Sequence, residues 1–73
     1  MSKKINSSVV VRRVGIRGGK PLIKDSRITV EDVLDHLALG WSVPQLKRLF
    51  PSIKIEYVEQ LLRDISKDYA KKR

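Results

Sequence analysis

The 73-residue chain contains no cysteine, which excludes a disulfide framework and any cysteine-ligated zinc as supports for a small core. It holds one histidine, His36. A lone histidine without a second, cleft-forming domain is poor material for a metal site or a Ser–His–Asp arrangement. No catalytic residue, metal, cofactor or small-molecule substrate is therefore expected, and the chain reads as a binding module rather than an enzyme. No apolar run approaches the roughly 20 residues of a membrane span. The opening Met1-Ser2-Lys3-Lys4 lacks the apolar stretch that follows the charges of a signal peptide. The expected compartment is the cytoplasm, with no membrane partner.

What is abundant is charge, at 33% of residues beside 41% hydrophobic ones, and its net value is +8. Length and balance fit one small globular domain, marginal in stability because it buries only about 60% of its unfolded surface. Good helix packing or oligomerisation is the expected compensation. The charge is unevenly placed. Residues 1–27 carry eight basic side chains against Asp25 alone, whereas residues 28–66 carry six acidic against four basic ones. Residues 67–73 are again basic. A slightly acidic body with basic ends should meet a polyanion through those ends.

Along the chain, residues 1–8 read as a flexible basic N-terminus. Val9-Val10-Val11 is β-branched and reads as a short strand. Arg17-Gly18-Gly19-Lys20-Pro21 reads as a turn that uses positive φ at the glycines. Leu22-Ile23 can pair back, so residues 9–28 form a β-arm that must lie on the helices or on another chain. Residues 29–70 carry three helical patterns. Thr29 is a cap with Glu31 and Asp32 in the first turn, and Ile28 and Val33 are spaced as a hydrophobic staple. Val30, Val33, Leu34 and Leu37 make one apolar face, and Gly40 is placed to end the helix. Ser42 and Gln45 form a capping box for the second helix, with Trp41 and Leu46 spaced as its staple. Val43, Leu46, Leu49 and Phe50 supply its buried face, and Pro51 stops it. Ile55, Val58, Leu62, Ile65 and Tyr69, with Leu61 beside them, form the seam of a third helix, and residues 71–73 are a basic tail. Helices of about ten, eight and sixteen residues joined by tight turns predict a mainly α, tri-helical helix-turn-helix bundle with a short N-terminal β-hairpin or arm.

Gly18-Gly19-Lys20-Pro21-Leu22-Ile23-Lys24, Arg27-Ile28, Val33-Leu34 through Gly40-Trp41-Ser42, Phe50-Pro51-Ser52-Ile53 and Val58 together resemble the domain-of-unknown-function family numbered four-three-three, described as containing VapB-type antitoxin-like proteins. The resemblance covers about residues 9–65. It implies a homeodomain-like tri-helical fold in a prokaryotic toxin–antitoxin system, a PIN-like ribonuclease toxin as partner, and transcription regulation through the system's own operator. Three departures stand out. Asp25-Ser26 replaces the family's Gly-Thr, and Asp tolerates the left-handed region better than most residues. Lys54 replaces a Thr or Ser cap, which should cost about 1 kcal/mol at the third helix. Arg17 replaces a small residue or Cys and adds charge beside the turn.

On this reading the chain binds double-stranded DNA as a homodimer, with two helices in adjacent major grooves. Lys3, Lys4, Arg12, Arg13 and Arg17 would neutralise phosphates, against the plainer reading of a solvated tail. Gln60, Arg63 and Lys67 on the third helix suit base edges and phosphates, although Glu56 and Glu59 in its first turns do not, and a Glu59–Arg63 surface pair is the simpler role. If the first two helices form the motif instead, Gln45, Lys47 and Arg48 face the groove, and Lys54 is a further candidate for DNA contact. Arg12, Arg13 and Arg17 would also enter the carboxylate-rich site of the toxin. Gly18-Gly19-Lys20 lacks the spacing of a phosphate loop. Asp32 and His36, one turn apart, read as a surface ion pair. Trp41 reads as core edge, with a partner contact as its functional alternative. The alternative for the whole chain is a protein-interaction module with only nonspecific nucleic-acid affinity, which the acidic helical body favours.

Overall fold

The computed structural model describes residues 7–71. The fold is mainly α, with three helices and a short antiparallel hairpin ahead of them. The proposed segments 1–8 and 71–73 lie wholly or mostly outside the described residues.

Strand β1 (Val10–Val11) pairs with β2 (Leu22–Ile23), with Val10 opposite Ile23 and Val11 opposite Leu22. β-branched side chains favour this extended backbone, but two residues per strand cannot hold a sheet without packing. The packing is supplied by β2, whose Leu22 and Ile23 are fully buried. Burying each such side chain contributes about 1.5–3 kcal/mol. The backbone of β2 is also satisfied on its second edge. Ile23 N–H donates to the Ile28 carbonyl, Leu22 bridges Thr29, and Val30 N–H donates back to Pro21. The hairpin is thereby continuous with the start of the first helix.

The hairpin connection turns first at Gly15 (φ 82°), where Ile16 N–H donates to the Arg13 carbonyl, and then tightly at Arg17–Gly19, whose three residues all have positive φ (51°, 67° and 76°). Gly18 and Gly19 adopt this at no steric cost, whereas Arg17 does so under strain. Two contacts hold Arg17 there. Its guanidinium lies 3.5 Å from the Asp32 carboxylate and donates to the Arg27 carbonyl at 3.2 Å.

Helix α1 (Val30–Ala38) starts at Thr29, whose hydroxyl accepts from Asp32 N–H while the Asp32 carboxylate accepts from Thr29 N–H. Gly40, at φ 102°, turns the chain out of α1, and α2 (Val43–Leu49) begins at Ser42 with the expected capping box to Gln45. α2 ends before Phe50-Pro51, and α3 (Ile55–Lys71) follows. Lys54 offers α3 no side-chain cap; its ammonium lies 5.4 Å over the Tyr57 ring.

The core joins all the elements: Val9 and Ile23 from the hairpin, Val30 and Val33 from α1, Leu46 from α2, Ile53 from the turn, and Val58 and Leu61 from α3. Four sequence expectations are corrected. The α3 face centres on Leu61, with Leu62 and Ile65 half-buried, and Tyr69 is 77% exposed because the helix has run beyond the bundle by that turn. Leu49 points outward. Trp41 is 38% exposed and packs edge-on against His36 at 5.8 Å rather than stapling onto Leu46. His36 in turn sits edge-on to Phe50 and uses Nδ1 on the Asp32 backbone carbonyl at 2.7 Å, so it forms no ion pair with the Asp32 carboxylate.

Ser7 donates its hydroxyl to Asp64 on α3, and Gln60 donates to the same carboxylate. These two hydrogen bonds, Ser7 first, hold the Asp64 carboxyl below its ordinary range.

Two stability predictions follow from this geometry. Asp25 has φ 62°, so Asp25→Gly should relieve backbone strain by more than glycine's added unfolded-state entropy, for a net gain of about 0.5–1 kcal/mol. Chemical denaturation should show a higher midpoint at unchanged slope, and a lower midpoint would contradict the left-handed turn. Because the folded-state pKa of Asp64 is depressed, its contribution is present above the ordinary carboxylate value of about 4 and is lost as pH falls through the lowered one. Asp64→Asn should therefore narrow the gap between melting temperatures at neutral pH and at pH near 3, and an unchanged gap would refute the Ser7–Asp64 clasp.

Candidate nucleic-acid interface

The hairpin places its basic side chains outward. Arg12 and Arg13 directly follow β1 and are exposed, and neither side chain has a hydrogen-bond or ion-pair partner among the described residues. Lys24 and Arg27, in the turn after β2, are exposed as well. Arg17 differs. Its contacts with Asp32 and Arg27 make it a brace between the hairpin loop and α1, with the side chain still about half exposed. Lys20 lies beside Glu31 at 3.4 Å on the surface, a pair that contributes little in high dielectric. Lys3 and Lys4 lie outside the described residues.

The helical candidates are largely engaged. Lys47 donates from Nζ to the carbonyls of Pro51 and Ile53, both at 2.8 Å, and so closes the α2–α3 turn instead of projecting toward a ligand. These carbonyls follow the end of α2, where orphan acceptors draw cationic donors. Gln45 is committed to its capping box. On α3, Gln60 donates to Asp64 at 2.8 Å, and Arg63 donates to Gln60 at 3.3 Å rather than pairing with Glu59. Lys67 is exposed and lowers the Asp64 pKa through its charge. Arg48 is exposed, and Lys54 rests over Tyr57. Exposed Glu56 and Glu59 keep the first turns of α3 acidic.

Among the described residues the surface carries hollows of different character. A polar cleft of about 610 Å³ is lined by Arg13 and Ile16 from the hairpin, Asp25 to Ile28 from the turn before α1, and Ser52 from the α2–α3 turn. A smaller apolar groove of about 380 Å³ runs between Pro21, Val30 and Leu34, with Lys20 and Glu31 at its edge. A shallow hollow lies among Leu39, Gly40, Trp41 and Gln45. Arg27 and Ser52 line this cleft without being sequence candidates for a site. Arg27 enters the sequence reading through the basic tally of residues 1–27 and both through the family-like segments, and no spacing rule joins positions 13, 27 and 52.

Among the described residues, no group of three or more His, Asp or Glu side chains comes together to hold a metal ion. No helix among them is long and apolar enough to cross a membrane. No curated protein and no solved structure matches the chain. A family model does: residues 10–63, from β1 to the middle of α3, match the family described as protein of unknown function (DUF433). With the hairpin, its turn and all three helices inside or entering the matched span, the chain belongs to that family.

Proposed function

We propose that the chain is a DNA-binding, antitoxin-like module, a binder rather than an enzyme, that acts in the cytoplasm. The observation that carries the reading is the unpaired cationic edge of the hairpin. Arg12, Arg13 and Arg27 stand in solvent on a segment held rigidly by the buried β2. Rigid placement matters, because side chains fixed by a scaffold lose less entropy on meeting a ligand. Phosphate neutralisation by such groups supplies affinity and salt dependence, and base-edge contacts supply sequence choice. With Gln45, Lys47, Gln60 and Arg63 tied to neighbours, Arg48 is the helical side chain best placed to add a base contact. A homodimer would place two such modules on adjacent half-sites, in the manner of homeodomain-like and other helix-turn-helix proteins. The same Arg12 and Arg13 suit the carboxylate cluster of a PIN-like ribonuclease toxin, which would join operator binding and toxin neutralisation on one edge.

A second reading, a protein-interaction module with only nonspecific nucleic-acid affinity, is favoured by a different observation. Leu39 is 78% exposed beside the half-covered Trp41, and aromatic and aliphatic anchors of this kind are common at interfaces.

Gel shifts with genomic fragments at two salt concentrations separate the readings. The expected result is a preferred fragment whose affinity falls steeply with salt, and indifference to sequence counts for the second reading. Arg12→Ala with Arg13→Ala should weaken binding to every duplex and reduce the salt slope by about 0.9 per lost phosphate contact. Unchanged affinity would discard the hairpin edge as the DNA contact.

A further inference from the structure

The polar cleft brings together residues from three separate parts of the chain. Arg13 comes from the strand exit of the hairpin, Arg27 from the turn before α1, and Ser52 from the turn before α3. Both guanidiniums are exposed and unpaired among the described residues, and Ser52 Oγ makes no hydrogen bond among them. The walls, in contrast, are fixed. Ser26 donates to the Ile23 carbonyl at 2.9 Å and accepts from Ile28 N–H at 3.1 Å. Arg17 holds the Arg27 carbonyl from outside the cleft, at 3.2 Å. Asp25 lines the cleft too, in a left-handed conformation and within 3.4 Å of the Tyr57 hydroxyl, which donates to it.

We propose that this cleft is a phosphodiester-binding site in which Arg13, Arg27 and Ser52 take one backbone phosphate of duplex DNA. The inference rests on the DNA-binding reading and assigns it a specific anchoring point. Guanidinium forks match the oxygens of a phosphate in number and angle, and a hydroxyl adds a third donor. The charge in the cleft also selects the ligand. Two cations facing one carboxylate leave a single positive charge, which suits the monoanionic diester of a polynucleotide better than a dianionic terminal phosphate. Ser52 ties the site to the α2–α3 turn, so a phosphate held there fixes the register of both helices on the duplex.

The test is amide NMR of the full chain titrated with dimethyl phosphate and, separately, with a short DNA duplex. Both probes should move the Arg27 and Ser52 resonances. Arg27→Ala should weaken the duplex about tenfold and abolish the response to dimethyl phosphate, in line with the loss of one charge-assisted contact. Arg27→Lys should recover part of the affinity, since it keeps the charge and loses the fork. Asp25→Asn should strengthen duplex binding about threefold by removing the opposing charge. Duplex binding that ignores Arg27→Ala overturns the cleft and leaves the DNA reading standing. A response to dimethyl phosphate that needs Arg27, in a chain that binds no duplex, supports the cleft and sinks the DNA reading. Silence toward both probes, or weaker duplex binding by Asp25→Asn, overturns the proposal.

Discussion

The structure depends on the complete burial of β2. Leu22 and Ile23 have no exposed surface, and their backbone is hydrogen-bonded along both edges, to β1 on one side and to the Ile28–Val30 segment on the other. A two-residue strand is too short to stand alone, yet here its Ile23 joins one core cluster with residues of α1, α2 and α3. It also turns a basic N-terminal segment from a loose arm into a fixed edge. Arg12 and Arg13 leave β1 directly, and Arg27 sits in the turn that β2 feeds, so their positions are set by the core and not by their own contacts.

The exposed charge follows from where hydrogen bonds are needed. Each helix end and turn presents donors or acceptors that must be satisfied, and the nearest long polar side chains supply the partners. Lys47 serves the turn after α2, Gln45 the start of α2, Asp32 the start of α1, and Gln60 the clasp at Asp64. Among the described residues, the Arg12, Arg13, Arg27 and Arg48 side chains have no such internal acceptor. Four of the exposed cations without such a role are arginines, the residue type best suited to phosphate and carboxylate.

Legibility in the sequence tracked the range of the interaction. The Thr29 cap, the Ser42–Gln45 capping box, the left-handed Gly40 and the stop at Pro51 depend on neighbours within four residues, and each is readable, whereas the return bond from Thr29 N–H to the Asp32 carboxylate is an addition of the structure. Asp25 was also readable as a left-handed turn residue, because that preference belongs to the residue itself. Arg17 was not, since its positive φ is sustained by Asp32 and Arg27 across the loop. Periodicity places the apolar seam on α3 but does not say where the bundle ends, so it carries the seam on to Tyr69, which stands exposed. Trp41 was read as a staple from spacing alone, whereas the His36 and Phe50 rings offered an edge-to-face arrangement that spacing does not encode. The polar cleft was the least legible feature, being formed by three segments that meet only once the core has closed.

The hydrogen bond from Ser7 to Asp64 spans 57 positions, close to the whole described chain. Loops of that length close slowly and late. On the ribosome, β1 and β2 emerge long before α3 does, and domains assemble as their residues become available. The hairpin edge of a nascent chain therefore lacks its latch until synthesis is nearly finished. A polypeptide released early would carry the cationic strand without the helix that pins its beginning, which gives truncated products a disadvantage built into the connectivity of the chain.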